Sequence, residues 1–315
     1  MFSEYRRLVI SALPFCSRSI YKLLALVTIS ACLSIASHAQ VLVSNFGSFS
    51  DGSGGKVAVY DNSGNYVRDF AQVASAHNIA FSSSNVYISN YFSGIVRQYN
   101  TDGTGGTNFA GPGTSTGAAG MAFGSNGKLY VSDLSGGRVL QYNADGTGQT
   151  VFASNISQPD HIAFREGVLY VASLGAGRVE RFASTGASLG TFVTGISGAV
   201  GLDFDVSGRL YVSGYNGGNV RRFNADGSNG FDIATGLSNP HGVTVGPDGG
   251  VYVVEQGQGR VLRFNQDGTG QTTYISGLNN PIDIKFAPVP APSALAAFVI
   301  GAVSGVGVLL RRRRK

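Results

Sequence analysis

Short runs of β-branched and aromatic residues alternate with clusters of Gly, Asn, Asp, Ser and Thr along most of this chain, and the alternation keeps a fixed period. A tyrosine leading into a Val-Ser-Asp-like triplet stands at Tyr87, Tyr130, Tyr170, Tyr211 and Tyr252, giving spacings of 43, 40, 41 and 41 residues. Whole phrases repeat with it: GRVLQYNADGTGQT from Gly137 is written again as GRVLRFNQDGTGQT from Gly259, with weaker copies from Gly55, Gly94, Gly177 and Gly218. Within one unit, HIAF (161–164), LYVAS (169–173), RVERF (178–182) and LGTFV (189–193) have strand composition and are separated by turn residues. Self-similarity at about 40 residues, with four strands to the unit, predicts propeller blades.

The third strand of each unit shows how the units meet. Val139 and Tyr142, Val179 and Phe182, Val220 and Phe223, and Val261 and Phe264 lie three residues apart, and an odd offset in a strand places two side chains on opposite faces. Both faces are therefore apolar. A blade packed between two neighbours needs that, whereas a sheet of a sandwich keeps a polar outer face. The chain enters the repeats at VLVSN (41–45), a second strand, and leaves them with PIDIKF (281–286), a first strand. Joining the two completes one blade. The expected fold is an all-β, six-bladed β-propeller over residues 40–287, its closing blade built from the C-terminal inner strand and three outer strands between Val41 and about Gln72. The units resemble NHL repeats and, through them, the six-bladed group that includes the SMP-30 and gluconolactonase proteins. The resemblance implies the fold and leaves function open.

Charge matters at the two ends. The formal charge of +5 raises nucleic acid as a partner, but residues 40–293 hold 14 Lys and Arg against 17 Asp and Glu, with no basic run. No nucleic-acid footprint is expected. Residues 1–39 read as a signal peptide: Arg6, Arg7, Arg18 and Lys22, then the apolar run LLALVTISACLSIA, then Ser37-His38-Ala39 as a small-x-small cleavage site. Ile29-Ser30-Ala31-Cys32 also resembles a lipobox, so lipidation at Cys32 is the rival to cleavage after Ala39. Both cysteines, Cys16 and Cys32, precede Gln40, and the repeat body is expected to fold without disulfides.

At the other end, residues 288–293 form a proline-rich linker containing Pro290-Ala291-Pro292, residues 294–310 are uncharged and mainly apolar, and residues 311–315 are basic. A helix over 294–310 would be about 25 Å long, near the lower limit for spanning a bilayer, with Arg311, Arg312, Arg313 and Arg314 placed to stay in the cytoplasm. The order of the three parts resembles the PEP-CTERM signal of Gram-negative bacteria, with Ala291 where that motif has an acidic residue. This resemblance implies export across the inner membrane, a tether through 294–310, an exosortase-type sorting enzyme as partner, and display or release at the cell surface.

Candidate chemistry sits on the inner strands. Aligning AHNIAF, AAGMAF, PDHIAF, AVGLDF, PHGVTV and PIDIKF puts His77, Ala119, Asp160, Val200, His241 and Ile282 in the second column. The polar residues occupy alternate blades. Such side chains converge on the channel with near three-fold symmetry, and two imidazoles with one carboxylate suit a divalent transition metal with open positions. The column also resembles that of the metal-dependent peptidyl-hydroxyglycine lyases, NHL-like propellers in which histidines at this position hold zinc. That resemblance implies His77 and His241 as ligands, with Asp160 where a third histidine would stand. The alternative is a wet channel whose histidines bind water. Because it follows Asp160, His161 is expected to point into the blade interface or away from the channel; Asp203 and Asp283 are further acidic residues expected near the channel.

Glu255, ending a second strand near the same mouth, is the candidate general base, or else it closes a turn as Asn45, Asn90 and Asp133 do. The turn Asn143-x-Asp145-Gly146 has hairpin chemistry and too few oxygens for calcium. No nucleophile elbow, phosphate loop or cysteine nucleophile is present in the repeat body. Two functions follow as expectations: an exported, membrane-tethered propeller that binds an envelope protein or exopolysaccharide, or a metal-dependent lyase or hydrolase working at the channel mouth.

Overall fold

The computed structural model describes residues 40–288 except 49, 51 and 112–116. The segments read above as a signal peptide, a Pro290-Ala291-Pro292 sorting motif, an apolar helix over 294–310 and a basic tail with Arg311–Arg314 lie outside the described residues. Among those described, no helix is long and apolar enough to cross a membrane.

Six antiparallel sheets of four strands each make up the described chain. Blade 1 takes its inner strand, Pro281–Phe286, from the C-terminal end and its other three, Val41–Asn45, Lys56–Tyr60 and Tyr66–Gln72, from the N-terminal end. Val41 pairs with Phe286 and Val43 with Ile284, so the ring closes by main-chain hydrogen bonds as the sequence implies. The inner strands of blades 2 to 6 are Ala76–Phe81, Ala118–Phe123, Pro159–Arg165, Ala199–Phe204 and Pro240–Val245.

Blade faces pack as the third-strand pattern requires. Val139, Val179, Val220 and Val261 are fully buried, and their partners Tyr142, Phe182, Phe223 and Phe264 nearly so. Each core cluster spans neighbouring blades: Leu42, Val57 and Val59 of blade 1, for example, meet Ile79, Val86 and Ile88 of blade 2. The tyrosine that marks the period has its own task. Tyr130 lies edge-on between Phe152 of its outer strand and Phe164 of the next blade's inner strand, both at 4.8 Å. Tyr87, Tyr170 and Tyr252 do the same in their blades. Edge-to-face pairs of this kind favour one arrangement of the aromatic core over others.

One irregularity recurs. Pairing between inner and second strands skips two residues, between Ala76 and Ile79, Ala118 and Met121, Pro159 and Ile162, Ala199 and Leu202, and Pro240 and Val243. In blade 1 a similar shift falls opposite Ser44 and Asn45. A bulge of this sort leaves backbone groups without ladder partners, at a cost if they are buried. Serines of the second strands take them up. The N–H groups of Asp283, Asn78, Gly120 and Gly201 donate to Ser44, Ser89, Ser132 and Ser213 Oγ at 3.0, 2.9, 2.7 and 2.9 Å. Each serine then donates across to the next blade's second-column carbonyl, that of His77 (2.5 Å), Ala119 (2.7 Å), Asp160 (2.5 Å) and His241 respectively. Blades 4 and 6 have Ala172 and Val254 at the serine position. The next carbonyls there belong to Val200 and Ile282. The backbone of all three candidate ligands is thus pinned by a serine from the preceding blade.

Candidate metal centre

Because the bulge interrupts alternation, second- and third-column side chains both turn toward the axis. His77, Asp160 and His241 come together as the alternating column implies: one ligand atom from each lies within 4.8 Å of the others. His241 Nε2 is 3.9 Å from Asp160 Oδ2, and the His77 and His241 rings meet edge-on at 5.2 Å. All three are nearly sealed, with 4 %, 2 % and 6 % of His77, Asp160 and His241 exposed.

His161 corrects the sequence reading. Strict alternation sends it away from the channel; instead its ring lies 5.8 Å from that of His77 and 5.5 Å from that of His241. Its Nδ1 is 2.9 Å from Asp160 Oδ1 and its Nε2 is 3.4 Å from Asp283 Oδ1. Space for it comes from glycine. A Cβ on Gly120 would fall 2.5 Å from the Asp160 carbonyl oxygen and 2.6 Å from His161 Cα, so only glycine lets these strands approach. The third column reads Asn78, Gly120, His161, Gly201, Gly242 and Asp283, with no apolar side chain. Three glycines inside strands were the available signal for a bulge. Asp283 is further held by Asn78 Nδ2 at 2.8 Å, by the Ile79 N–H at 3.1 Å and by Lys285 Nζ at 3.6 Å.

These contacts set the protonation states. Burial pushes His77 down to about 4 and His241 down to about 3, against the attraction of Asp160. Burial opposes charge on His161 as well, but its hydrogen bond to Asp160 and the nearby Asp283 carboxylate prevail and lift it to about 9. Burial would raise both carboxyls; the His161 contact and the histidine charges hold Asp160 well below the usual range, and Lys285 and His161 hold Asp283 at about 2. At neutral pH the cluster therefore contains two neutral imidazoles, one imidazolium and two carboxylates.

That donor set fits a divalent cation. Nδ1 of His77, Nδ1 of His241, Nε2 of His161 and Oδ1 of Asp283 find no hydrogen-bond partner among the described residues, an unusual state for buried polar atoms. Neutral imidazole and carboxylate are the forms that ligate.

Other candidates are occupied elsewhere. Glu255 accepts hydrogen bonds from the Ser238 N–H at 2.8 Å and from Arg260 Nε at 2.5 Å, so it closes a turn and stands apart from the cluster. Asp203 Oδ2 accepts from Thr244 Oγ1 and the Val245 N–H, both at 2.9 Å, joining blade 5 to blade 6. Asp145 Oδ1 accepts from the N–H and Oγ1 of Thr147 at 3.0 and 2.6 Å, which commits it to its own turn.

No protein-family model matches the sequence, and no curated protein matches it. Solved structures do. A streptogramin B lyase is 20 % identical with a TM-score of 0.61, over 79 % of this chain and 92 % of that one. A chain of the nidogen–laminin complex is 16 % identical with a TM-score of 0.69, over 80 % and 100 %. Virginiamycin B lyase from Staphylococcus aureus is 17 % identical with a TM-score of 0.59, over 74 % and 82 %. Fold and site together define a six-bladed propeller, related in fold to these, with a buried histidine–aspartate cluster on its axis.

Proposed function

We propose that this protein is an exported, envelope-tethered propeller whose activity resides in a divalent transition metal held by His77, Asp160 and His241 at the channel mouth, and that it acts as a metal-dependent lyase or hydrolase. One observation carries the reading: three of the chain's four histidines converge with two aspartates on the axis, and each of the three keeps a ring nitrogen without a hydrogen-bond partner among the described residues. A divalent ion bound there would supply a Lewis acid able to polarise an oxygen of the substrate. The chain's own residues do the rest. His161, held between Asp160 and Asp283, orients the Asp160 carboxylate. Ser44, Ser132 and Ser213 fix the ligand backbones, and burial keeps His77 and His241 in the ligating form. The likeness in fold to two lyases is consistent with this class.

A binding role for an envelope protein or exopolysaccharide is the second reading, favoured by the fold likeness to a chain of the nidogen–laminin complex over that chain's whole length. Zinc and manganese titration of residues 40–288 by calorimetry separates them. One site per chain, lost in His77→Ala and in His241→Ala, is expected of the enzyme. A well-folded protein with no site leaves the binding role.

A further inference from the structure

Just after its second strand every blade places one residue at the channel mouth: Phe46, Tyr91, Leu134, Leu174, Tyr215 and Gln256. The positions are equivalent. In each, the backbone N–H donates to the carbonyl of the residue before an inner strand, namely Asn280, Ser75, Gly117, Gln158, Gly198 and Asn239, at 2.8 to 3.2 Å. Five of the six are apolar or aromatic and none is charged. The acidic groups closest along the chain are neutralised, Asp133 by Arg138 at 2.8 Å and Glu255 by Arg260 at 2.5 Å.

Two of these residues touch the cluster. Tyr91 stacks on His77, centroids 5.6 Å apart and planes 22° apart, and Tyr215 stands edge-on to His241 at 5.8 Å. Blades 2 and 5 are three apart in a ring of six, so the two tyrosines flank the cluster from opposite sides. Gln256 Oε1 accepts from the Tyr215 hydroxyl at 3.0 Å and holds its ring in place. Phe46 and Phe92 extend the Tyr91 side, with Tyr91 centroids 5.9 and 5.6 Å away, and Phe92 is 37 % exposed. Core positions of the same blades are closed to solvent, yet Tyr91, Leu134, Leu174 and Tyr215 all remain partly open. Aromatic surface left open beside buried polar groups is the composition of a small-molecule site.

We propose that this ring is the binding subsite for a compound with a flat aromatic ring and a carbonyl or hydroxyl oxygen, the ring lying against Tyr91 and Tyr215 and the oxygen directed at His77, Asp160 and His241. Only the oxygen's partner rests on the metal reading. The ring's place rests on the tyrosines alone.

2-Naphthol carries both features, and the chain's lack of tryptophan leaves naphthol fluorescence clear of protein emission. Residues 40–288 hold the closed ring and its core, so they serve as the protein for the test. Without added metal, saturable one-to-one binding is expected, weakened about tenfold in Tyr91→Ala and in Tyr215→Ala. Tyr91→Phe, which keeps the ring, should restore binding, and Tyr66→Ala, an exposed aromatic of an outer strand, should change nothing. No saturable binding, or binding equal in all variants, overturns the subsite. A second arm compares benzohydroxamate with acetohydroxamate on zinc-loaded protein. The phenyl group should strengthen binding in the native chain and stop doing so in the two alanine variants; an equal phenyl preference in those variants also overturns the subsite. Naphthol binding that depends on the tyrosines while zinc and hydroxamates fail to bind keeps the subsite and removes the metal.

Discussion

The two faces of this propeller obey different rules, although the same repeat writes both. On the face where third strands end, the turns are near copies: Asp102, Asp145, Asp226 and Asp267 each accept the N–H two residues on at 2.9 or 3.0 Å, and Asn100, Asn143, Asn224 and Asn265 each bond the hydroxyl that follows. At the opposite mouth no two blades present the same pair of residues in the second and third columns of the inner strand. A rim turn has only its own blade to satisfy, so one solution serves wherever it is used. Six inner strands meet on one axis, and a side chain there answers to five others. Repetition marks architecture, and departure from it marks the site.

Breaking the ring should have the largest effect. A chain ending at residue 280 loses the inner strand of blade 1, with buried Ile282 and Ile284 and the pairing to Val41 and Val43. Several ladder bonds at about 1 kcal/mol each and two aliphatic side chains at about 1.5–3 kcal/mol each amount to much of a typical 5–15 kcal/mol stability. Thermal unfolding should shift down by roughly 10 °C or more relative to a chain ending at 288. Equal melting temperatures would contradict the closure.

Glycines sharpen the comparison between faces. At Gly201 a Cβ would fall 2.2 Å from the His241 carbonyl oxygen and 2.6 Å from Ser213 Oγ. Gly201→Ala should cost about 2–4 kcal/mol in denaturant unfolding, because the strands must separate at the bulge. Gly127, at a turn with nothing near its Cβ, has only its positive φ of 74° to lose, and Gly127→Ala should cost about 1 kcal/mol.

Between pH 5 and 9 the shifted histidines all lie at the mouth, and they should set the response to pH. His77 and His241, held near 4 and 3, take up protons on unfolding, so their contribution is lost as pH falls below 6.5. His161 is the reverse: raised to about 9, it stabilises fully below 6.5 and ceases to as pH rises through 9. Metal-free protein should be most stable near about pH 7, with slopes of roughly 1.4 kcal/mol per pH unit for each proton. Urea midpoints between pH 5 and 9 measure this, and His161→Gln should flatten the alkaline limb. A limb unchanged in that variant would mean that His161 is neutral.

How much of this was legible is clearest from three residues. His77 and His241 were found because blade periodicity fixes their column, and Val179 with Phe182 showed both faces buried because an odd offset has one reading in a strand. His161 was misplaced because alternation was carried through a bulge, and the sequence marks a bulge only by glycines at Gly120, Gly201 and Gly242. Glu255 was ambiguous since a carboxylate at a strand end reads alike as base or as turn acceptor until Arg260 and Ser238 are in view. The serine stitches were hidden for a different reason: Ser44, Ser89, Ser132 and Ser213 repeat visibly, but their acceptors lie in the next blade.

Smaller effects follow from those stitches. Ser132→Ala strands the Gly120 N–H and the Asp160 carbonyl together, and should cost about 1–3 kcal/mol in denaturant unfolding. Asp145→Ala, at an exposed rim turn, should cost at most about 1 kcal/mol.

The central claim is that departure from the repeat builds a single metal site on the axis. Anomalous diffraction at the zinc edge, from crystals of residues 40–288 grown with zinc, tests it directly. One peak should lie between His77, Asp160 and His241, and vanish in His77→Ala. No peak there, or peaks only at the rim turns around Asp102, Asp145, Asp226 and Asp267, would contradict it.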